Sequence, residues 1–205
     1  MKAILHADLE WGIGKNNDLM FSIPADMKFF RETTLNKVVV MGNNTLKSFP
    51  NGAPLENRIN IVLSRSASHN DCVVVKSLDE LFTELQKYDT NDVYVIGGAS
   101  IYKALLPYCS EVLVTKVDAI GGADTFFENL DNNKDYQLIY QSEPVETNGY
   151  KIIFTTYKNT NLKQIGWAKE VSVVINIKNI TKYLQRRKPV VEKVVYYDYW
   201  RQKCR

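Results

Sequence analysis

Short, uninterrupted apolar runs constrain the fold of this chain more than any other feature. Residues 38–41 read Val-Val-Val-Met and residues 93–96 read Val-Tyr-Val-Ile. Such runs are typical of strands that are buried on both faces of a sheet. We predict strands at residues 3–7, 37–41, 60–63, 72–75, 92–96, 111–117, 136–141 and 151–157.

Helical patterns separate these runs. We predict helices at residues 24–32, 43–48, 78–86 and 99–106, the first with Pro24 in its first turn, where proline is favoured. Alternating strands and helices predict an α/β fold with a mainly parallel central sheet and flanking helices. The last two strand candidates flank the turn signal Asn148-Gly149, so we expect an antiparallel hairpin at the sheet edge.

The charge distribution divides the chain near residue 160. Residues 161–205 contain 11 Lys and Arg against 3 Asp and Glu, a net charge of +8, whereas residues 1–160 contain 15 against 20, a net charge of −5. We therefore predict one domain over 1–160 and a basic, aromatic C-terminal extension over 161–205. Within the extension we predict a strand at 171–175, a helix from 177 to 184 and a β-branched, aromatic run at 190–200.

Composition limits the class of protein. Hydrophobic residues make up 45% of the chain, enough for a packed core, which excludes a wholly disordered protein. No apolar run approaches the ~20 residues that span a bilayer, and Asp8 interrupts the N-terminal run too early for a signal peptide, so we predict a cytoplasmic protein without a membrane partner. The three cysteines and two histidines have no spacing typical of a zinc site or a disulfide framework, so we predict no metal.

Three predicted strand ends have chemistry that suits one extended anionic ligand. Gly97-Gly98 precede a helix, Gly42 precedes another, and Ser64-Arg65 follow a third strand. Glycine lets a ligand approach the backbone, and parallel strands bring their carboxyl ends to one edge of the sheet. Three ordinary tight turns are the alternative.

Two further features each have two interpretations. Asp26 lies on the apolar side of the first predicted helix. It is either an acid that the helix dipole favours or a buried acid that binds a cationic or amide-like edge. The glycine-containing loop at 11–17 is either a mobile lid or a plain connection.

Six motifs occur in an order that resembles the dihydrofolate reductase family, bacterial chromosomal type. They are residues 12–17 (GIGKNN), 23–30 (IPADMKFF), 40–42 (VMG) with Thr45, 58–64 (RINIVLS), 95–98 (VIGG) and 124–127 (DTFF). The resemblance covers residues 1 to about 158. It implies a dihydrofolate reductase-like fold and NADPH-dependent reduction of 7,8-dihydrofolate to 5,6,7,8-tetrahydrofolate, by hydride transfer to C6 and protonation at N5.

The resemblance also implies roles for individual residues. Asp26 would bind the pterin amino group and ring N–H, Thr115 would support that carboxylate, and Arg58 would bind the glutamate α-carboxylate. The pterin and benzoyl pocket would be lined by Leu5, His6, Phe21, Met27, Phe30, Phe49, Leu55, Ile96 and Tyr102. NADPH would contact Ile13, Gly14, Gly42, Thr45, Leu63, Ser64, Arg65, Lys76, Gly97, Gly98, Ala99, Ser100 and Ile101, with a cis peptide between Gly97 and Gly98.

Three positions depart from the family pattern. Met20-Phe21 stands where most members have Pro-Trp, which removes an indole N–H donor near the pterin. His6 stands where alanine is expected, and is either a packed structural histidine or a group that narrows the pocket or titrates near neutral pH. Asn43 stands where the family has a basic residue, so one positive charge that would bind a cofactor phosphate is missing. Arg65 is the candidate to replace that charge, and the preference for NADPH over NADH stays open.

Two other functions stay open at this point. A reductase of the same fold could act on another heterocycle, as the riboflavin-pathway pyrimidine reductases do, although Asp26, Phe30 and Arg58 match the folate pattern. Alternatively, the chain could be an inactive cofactor-binding module whose tail binds nucleic acid. Charge alone is weak support for that role, and an oligomerisation or packing extension is favoured over it. We expect a monomer unless the tail mediates association.

Overall fold

The computed structural model describes residues 1–165 of the 205-residue chain. The strands are β1 Lys2–Ala7, β2 Gly12–Gly14, β3 Val38–Gly42, β4 Ile59–Leu63, β5 Val73–Val75, β6 Val93–Gly97, β7 Glu111–Val117, β8 Thr125–Phe126, β9 Tyr136–Gln141, β10 Val145–Thr147 and β11 Tyr150–Asn159. The α-helices are α1 Pro24–Thr34, α2 Asn43–Ser48, α3 Leu78–Leu85 and α4 Ala99–Leu105. Short 3-10 segments lie at Pro50–Gly52, Thr90–Asp92 and Leu106–Tyr108.

A mixed sheet organises the described part of the chain. Within residues 1–165, nine strands form one sheet in the order β10-β11-β7-β1-β6-β3-β4-β5, with β9 also paired to β11. The strands from β7 to β5 along this order are parallel, whereas β11 runs antiparallel to β7, β9 and β10. The predicted α/β fold, mainly parallel with an antiparallel edge and flanking helices, is confirmed.

The antiparallel edge contains one more strand than the predicted hairpin, so the predicted turn joins a different pair of strands. Asn148-Gly149 joins β10 to β11, with Thr147 opposite Tyr150, instead of joining β9 directly to β11. β9 pairs with the later part of β11, which begins at Thr155. β11 is ten residues long, and this length lets it take two partners in succession.

The sheet is buried on both faces, as the apolar runs predict. Val39, Val40 and Met41 are each 0% exposed. Because side chains alternate along a strand, β1 sends Ile4 to one face and Leu5 to the other. The face of Leu5 packs against α3 and α4 in a cluster that includes Val95, Leu81, Leu85, Ile101 and Leu105. The face of Ile4 packs against α1 and α2 in a cluster that includes Met41, Leu46, Ile96, Phe29 and Phe30.

Contacts with the sheet continue just beyond the last strand. The backbone N–H of Thr160 donates to the Asp135 carbonyl, and that of Lys163 donates to the Pro107 carbonyl. Ile165 packs against the core. In the part of the chain that the structure describes, no helix has the length and apolar composition to span a membrane. The elements predicted at 171–175, 177–184 and 190–200 lie outside the described residues.

Candidate active site

Helix α1 brings an acid to the end of a central strand. Pro24 is its first residue and Asp26 follows in the same turn, where a carboxylate interacts favourably with the helix dipole. The Asp26 side chain is only 14% exposed, and its Oδ2 lies 3.0 Å from Nδ1 of His6. Because His6 is the next-to-last residue of β1, Asp26 lies near the carboxyl ends of the parallel strands.

Two polar atoms lie buried in the same region without partners. Thr115 stands opposite His6 in the β1–β7 register, so both side chains project from the same face of the sheet. The Thr115 hydroxyl and the His6 Nε2 are buried, and neither has a hydrogen-bond partner among residues 1–165. Leaving a buried polar atom unpaired costs free energy, so both atoms suit a ligand that brings polar groups.

The donor to Asp26 is not the residue that the resemblance implies. Thr115 forms no direct hydrogen bond to Asp26 in the described part of the chain, where the carboxylate pairs with His6 instead. The sequence left two interpretations of His6, packing or a role in the pocket. The structure joins it to the carboxylate, with Thr115 beside the pair.

Four of the predicted pocket residues gather on one apolar wall. Phe30, Phe49, Leu55 and Ile96 belong to the cluster on the α1 face of the sheet. Phe30 lies on the same helix as Asp26, one turn later. The wall and the carboxylate together suit a flat ring with an apolar face and a polar edge.

Three other predicted pocket residues are placed differently. Leu5 belongs to the cluster on the opposite face of the sheet, because it neighbours His6 in the strand. Met27 is 57% exposed. Phe21 lies before α1, and its ring neighbours the His6 imidazole, with ring centroids 6.2 Å apart.

Arg58 is held against the last turn of α1. Its Nη2 donates to the Arg31 carbonyl at 2.9 Å and its Nη1 to the Glu56 carbonyl at 2.7 Å, while Nε and Nη2 both reach the Thr34 hydroxyl at 3.3 Å. Partial burial, and then the neighbouring Arg31 cation, lower the pKa of Arg58. No acidic side chain forms an ion pair with it within 1–165, so its charge is available to an anionic ligand.

The glycine pair after β6 lies against a buried tyrosine. The peptide between Gly97 and Gly98 is cis, and Gly97 has a φ of 118°, a conformation that L residues rarely adopt. A Cβ at Gly97 would lie 3.2 Å from the Tyr102 ring. The Tyr102 hydroxyl donates to the Ile4 carbonyl at 2.8 Å, and burial raises its pKa well above the usual range. Tyr102, predicted to bind substrate, therefore uses its hydroxyl within the protein.

The end of β3 meets the start of α4. A Cβ at Gly42 would lie 3.0 Å from the Ile101 side chain, and a Cβ at Gly98 would lie 3.4 Å from the Thr45 hydroxyl. Ala99 and Ser100 follow in the first turn of α4. The structure thus brings the predicted glycines and hydroxyls of two strand ends together, as the parallel topology leads us to expect.

Two exposed cations follow neighbouring strands, Arg65 after β4 and Lys76 after β5. Leu63 ends β4, and the Ser64 hydroxyl accepts hydrogen bonds from the backbone N–H groups of Ser66 and Ala67. Arg65 and Lys76 are exposed, and neither belongs to an ion pair of the described residues.

His69 is a residue that the sequence did not single out. Its Nε2 lies 3.2 Å from Oδ1 of Asn43, the position where the family pattern has a cation. His69 lies in a polar loop between β4 and β5. Its position four residues after Arg65, a predicted cofactor-binding residue, was the only sequence feature that could have indicated a place near the cofactor site.

The glycine-containing loop after β1 is attached to the segment 121–126 by two sets of hydrogen bonds, one through Asp124 and one through Asp8. Ile13 and Gly14 lie in β2, which pairs with β8. Oδ2 of Asp124 accepts a hydrogen bond from the Asn16 N–H at 2.7 Å, and the Asp124 N–H donates to the Gly14 carbonyl.

The second attachment is Asp8, which in the sequence stands out only as the residue that interrupts the first apolar run. Asp8 is 4% exposed, and its carboxylate accepts hydrogen bonds from the N–H groups of Gly12 at 2.7 Å and Gly121 at 3.0 Å. The loop is therefore anchored by hydrogen bonds in this structure. The sequence signal for this role of Asp8 was an acidic residue directly after an apolar strand.

Comparisons with known proteins agree with this arrangement. The dihydrofolate reductase family model matches residues 1–159. Dihydrofolate reductase of Bacillus subtilis (strain 168) is 31% identical over 158 residues, which cover 75% of this chain and 91% of that protein. A bifunctional dihydrofolate reductase-thymidylate synthase 2 of Arabidopsis thaliana is 33% identical over 190 residues, 83% of this chain but 34% of that protein, so the chain spans about a third of such bifunctional relatives.

A solved structure shows the same fold. Dihydrofolate reductase from Enterococcus faecalis, complexed with NADP(H) and RAB-propyl, superposes with a TM-score of 0.69 at 30% sequence identity, covering 77% of this chain and 95% of that chain. The family match spans most of the chain and coincides with the residues that form the sheet, the glycine pair and the Asp26 site. The chain therefore belongs to the dihydrofolate reductase family.

Proposed function

We propose that the protein reduces 7,8-dihydrofolate to 5,6,7,8-tetrahydrofolate with NADPH. The observation that carries this proposal is the Asp26 carboxylate, 14% exposed, on the α1 face of the sheet where Phe30, Phe49 and Ile96 form an apolar wall. A dihydropterin has an apolar ring face and an edge of N–H donors, and these two properties match the wall and the carboxylate.

Asp26 would contribute to the reaction mainly through its charge. A carboxylate accepts hydrogen bonds from an amino group and a ring N–H, which fixes the orientation of the pterin. Protonation at N5 gives the ring a positive charge, and a negative group that is already in place stabilises this cation at low reorganisation cost. The same charge would be less effective in water, because the higher dielectric constant weakens it.

The residues at the three strand ends fit NADPH. At Gly42, Gly97 and Gly98 a Cβ would lie 3.0–3.4 Å from Ile101, Tyr102 or Thr45, so the absence of side chains lets the strand ends and α4 pack closely where the cofactor would bind. Arg65 and Lys76 offer exposed positive charge to phosphates. When bound, NADPH supplies the hydride. The relative from Enterococcus faecalis was solved with NADP(H), which supports this choice of cofactor.

Arg58 would bind the glutamate end of the substrate. We expect Arg58→Leu to raise the KM for dihydrofolate by about tenfold to a hundredfold, since a hydrogen bond to a charged group contributes about 1.5–3 kcal/mol, and to change kcat much less. This contact is made equally in the ground state and the transition state. Steady-state kinetics at saturating NADPH measure both constants.

A pterin without the glutamate tail is the control for this prediction. Because Arg58 also bonds the Arg31 and Glu56 carbonyls, its loss could loosen α1 and affect all substrates. If KM rises by the same factor for the tail-less pterin, the proposed role of Arg58 is wrong.

We also propose that the reductase unit extends past the predicted boundary at residue 160, at least to residue 165, and that the basic tail is an addition to it. A chain that ends at Ile165 should fold and keep kcat within about threefold of the whole chain, a change of about 0.65 kcal/mol. It contains every site residue and keeps the Lys163–Pro107 hydrogen bond and the packing of Ile165. Melting temperature and turnover of the two proteins measure this.

A chain that ends at Asn159 is the matched comparison. It lacks the contacts of residues 160–165, so we expect it to be less stable than the chain ending at Ile165. Aggregation or inactivity of the longer fragment would show that residues 166–205 belong to the fold. A packing or oligomerisation role for the tail in preference to nucleic-acid binding, the monomeric state and the cytoplasmic location stay predictions from the sequence.

A further inference from the structure

We propose that His6 is a positioning residue for Asp26: it holds one carboxylate oxygen by a hydrogen bond from Nδ1, so that the other oxygen is presented to the ligand. The inference rests on the proposed function, because it assigns the ligand-binding carboxylate to Asp26. It concerns a position where this chain departs from the family pattern, which has alanine there.

The backbone of His6 is held by its pairing with β7. The parallel β1–β7 register runs from Lys2 to Ala7 and places His6 opposite Thr115, whereas the β1–β6 register covers Lys2 and Ala3. The His6 side chain is 3% exposed, and its Nδ1 lies 3.0 Å from Oδ2 of Asp26. Asp26 belongs to α1, twenty residues later in the chain. The hydrogen bond therefore ties a side chain on helix α1 to a strand of the central sheet.

The chemistry of the two groups determines the direction of this hydrogen bond. An ionised carboxylate only accepts, so Nδ1 must carry the proton. Phe21 is the aromatic neighbour of the imidazole, with centroids 6.2 Å apart, and it offers no competing acceptor. The Tyr102 hydroxyl donates to the Ile4 carbonyl, and the Asp26 carboxylate has no side-chain hydrogen bond other than that to His6 within residues 1–165. Within residues 1–165, His6 is therefore the side chain that orients Asp26.

A histidine that served packing alone would leave a different pattern. Its polar atoms would be satisfied by the surrounding protein, as is usual for buried groups. Here Nε2 of His6 and the hydroxyl of Thr115 are both buried and have no partner among the described residues. Three polar groups thus converge at the site, and only one hydrogen bond joins them. This arrangement leaves hydrogen-bonding capacity beside the carboxylate for a polar ligand edge.

Two variants of the whole chain test the positioning role. His6→Asn keeps an N–H donor at the same number of bonds from Cα as Nδ1, whereas His6→Leu has similar bulk and no donor. We expect His6→Leu to lower kcat/KM for dihydrofolate by about tenfold to a hundredfold, as loss of a charge-assisted hydrogen bond does. His6→Asn should recover most of that loss, and the KM for NADPH should be unchanged in both.

The outcomes separate positioning from packing. A packing role predicts that His6→Asn is at least as harmful as His6→Leu, since it places a smaller polar group in the same space, and that activity follows melting temperature. Equal losses in the two variants, or no loss in His6→Leu, would overturn the proposal. If the wild type turns over no dihydrofolate, the proposed function fails, and the next measurement tests His6 independently.

Nitrogen NMR of the folded wild type tests the hydrogen bond without turnover. The sequence has two histidines, so spectra of ¹⁵N-histidine protein can be assigned with a His69→Gln variant. We expect a proton on Nδ1 of His6, and a change in the Nδ1 shift in Asp26→Asn. A neutral imidazole with its proton on Nε2 would contradict the proposal, because its Nδ1 cannot donate to a carboxylate. This measurement also decides the question if His6→Leu does not fold.

Discussion

Asp26→Asn should lower kcat for dihydrofolate by at least about 10²–10³-fold at neutral pH, the usual cost of removing a preorganised electrostatic group. Asparagine keeps the shape of the side chain and can still accept a hydrogen bond from His6, so the melting temperature and the affinity for NADPH should change little. Single-turnover kinetics with saturating NADPH, combined with calorimetric unfolding, measure both parts of this expectation.

The matched control is Asp79→Asn. Asp79 is also an acid in the first turn of a helix, but it is exposed. If Asp26 were only an acid favoured by the helix dipole, the two substitutions would have similar, small effects. Activity of Asp26→Asn within about threefold of wild type, or about 0.65 kcal/mol, would remove Asp26 from the mechanism.

Gly97→Ala should damage both stability and cofactor binding. Its φ of 118° is strained for any L residue, at a cost of about 1–3 kcal/mol, and the new Cβ would lie 3.2 Å from the Tyr102 ring. That ring cannot easily move, because it is 5% exposed and its hydroxyl is bonded to Ile4. We expect the melting temperature to fall by about 4–10 °C and the KM for NADPH to rise by about tenfold or more.

Gly149→Ala separates the two causes of this effect. Gly149 also has a positive φ, 77°, but a Cβ there would meet nothing within 4 Å. It should lose stability through backbone strain alone and keep its KM for NADPH. A Gly97→Ala protein that binds NADPH as wild type does would show that the glycine pair is not part of the cofactor site.

The sequence predicts those parts of the fold that depend on local patterns. Continuous apolar runs such as Val38–Gly42 predict strands because a strand inside a sheet covered on both faces buries every side chain. β2, β8 and β10 have two or three residues each, too few for any periodicity, and they were missed. The turn at Asn148-Gly149 was predicted, but the strand that it joins to β11 was not, because a turn signal fixes only its immediate neighbours.

In the site, too, local features could be predicted and contacts between distant residues could not. Asp26 and the glycine pair were predicted because each lies within a short sequence motif at the start of a predicted helix. The partner of Asp26 could not, since it depends on the β1–β7 register and on how α1 packs across the sheet. Arg58 was predicted as a ligand group, but its hydrogen bonds to the last turn of α1 appear only once β4 and α1 are in place.

The most direct test of the account is turnover by the whole chain supplied with NADPH and 7,8-dihydrofolate, followed by both cofactor absorbance and product analysis. We expect NADPH oxidation and tetrahydrofolate formation in equal amounts, and no oxidation with the pyrimidine substrate of the riboflavin-pathway reductases. Oxidation with that pyrimidine and none with dihydrofolate, or NADPH binding without oxidation by either, would contradict the assignment of this site to dihydrofolate reduction.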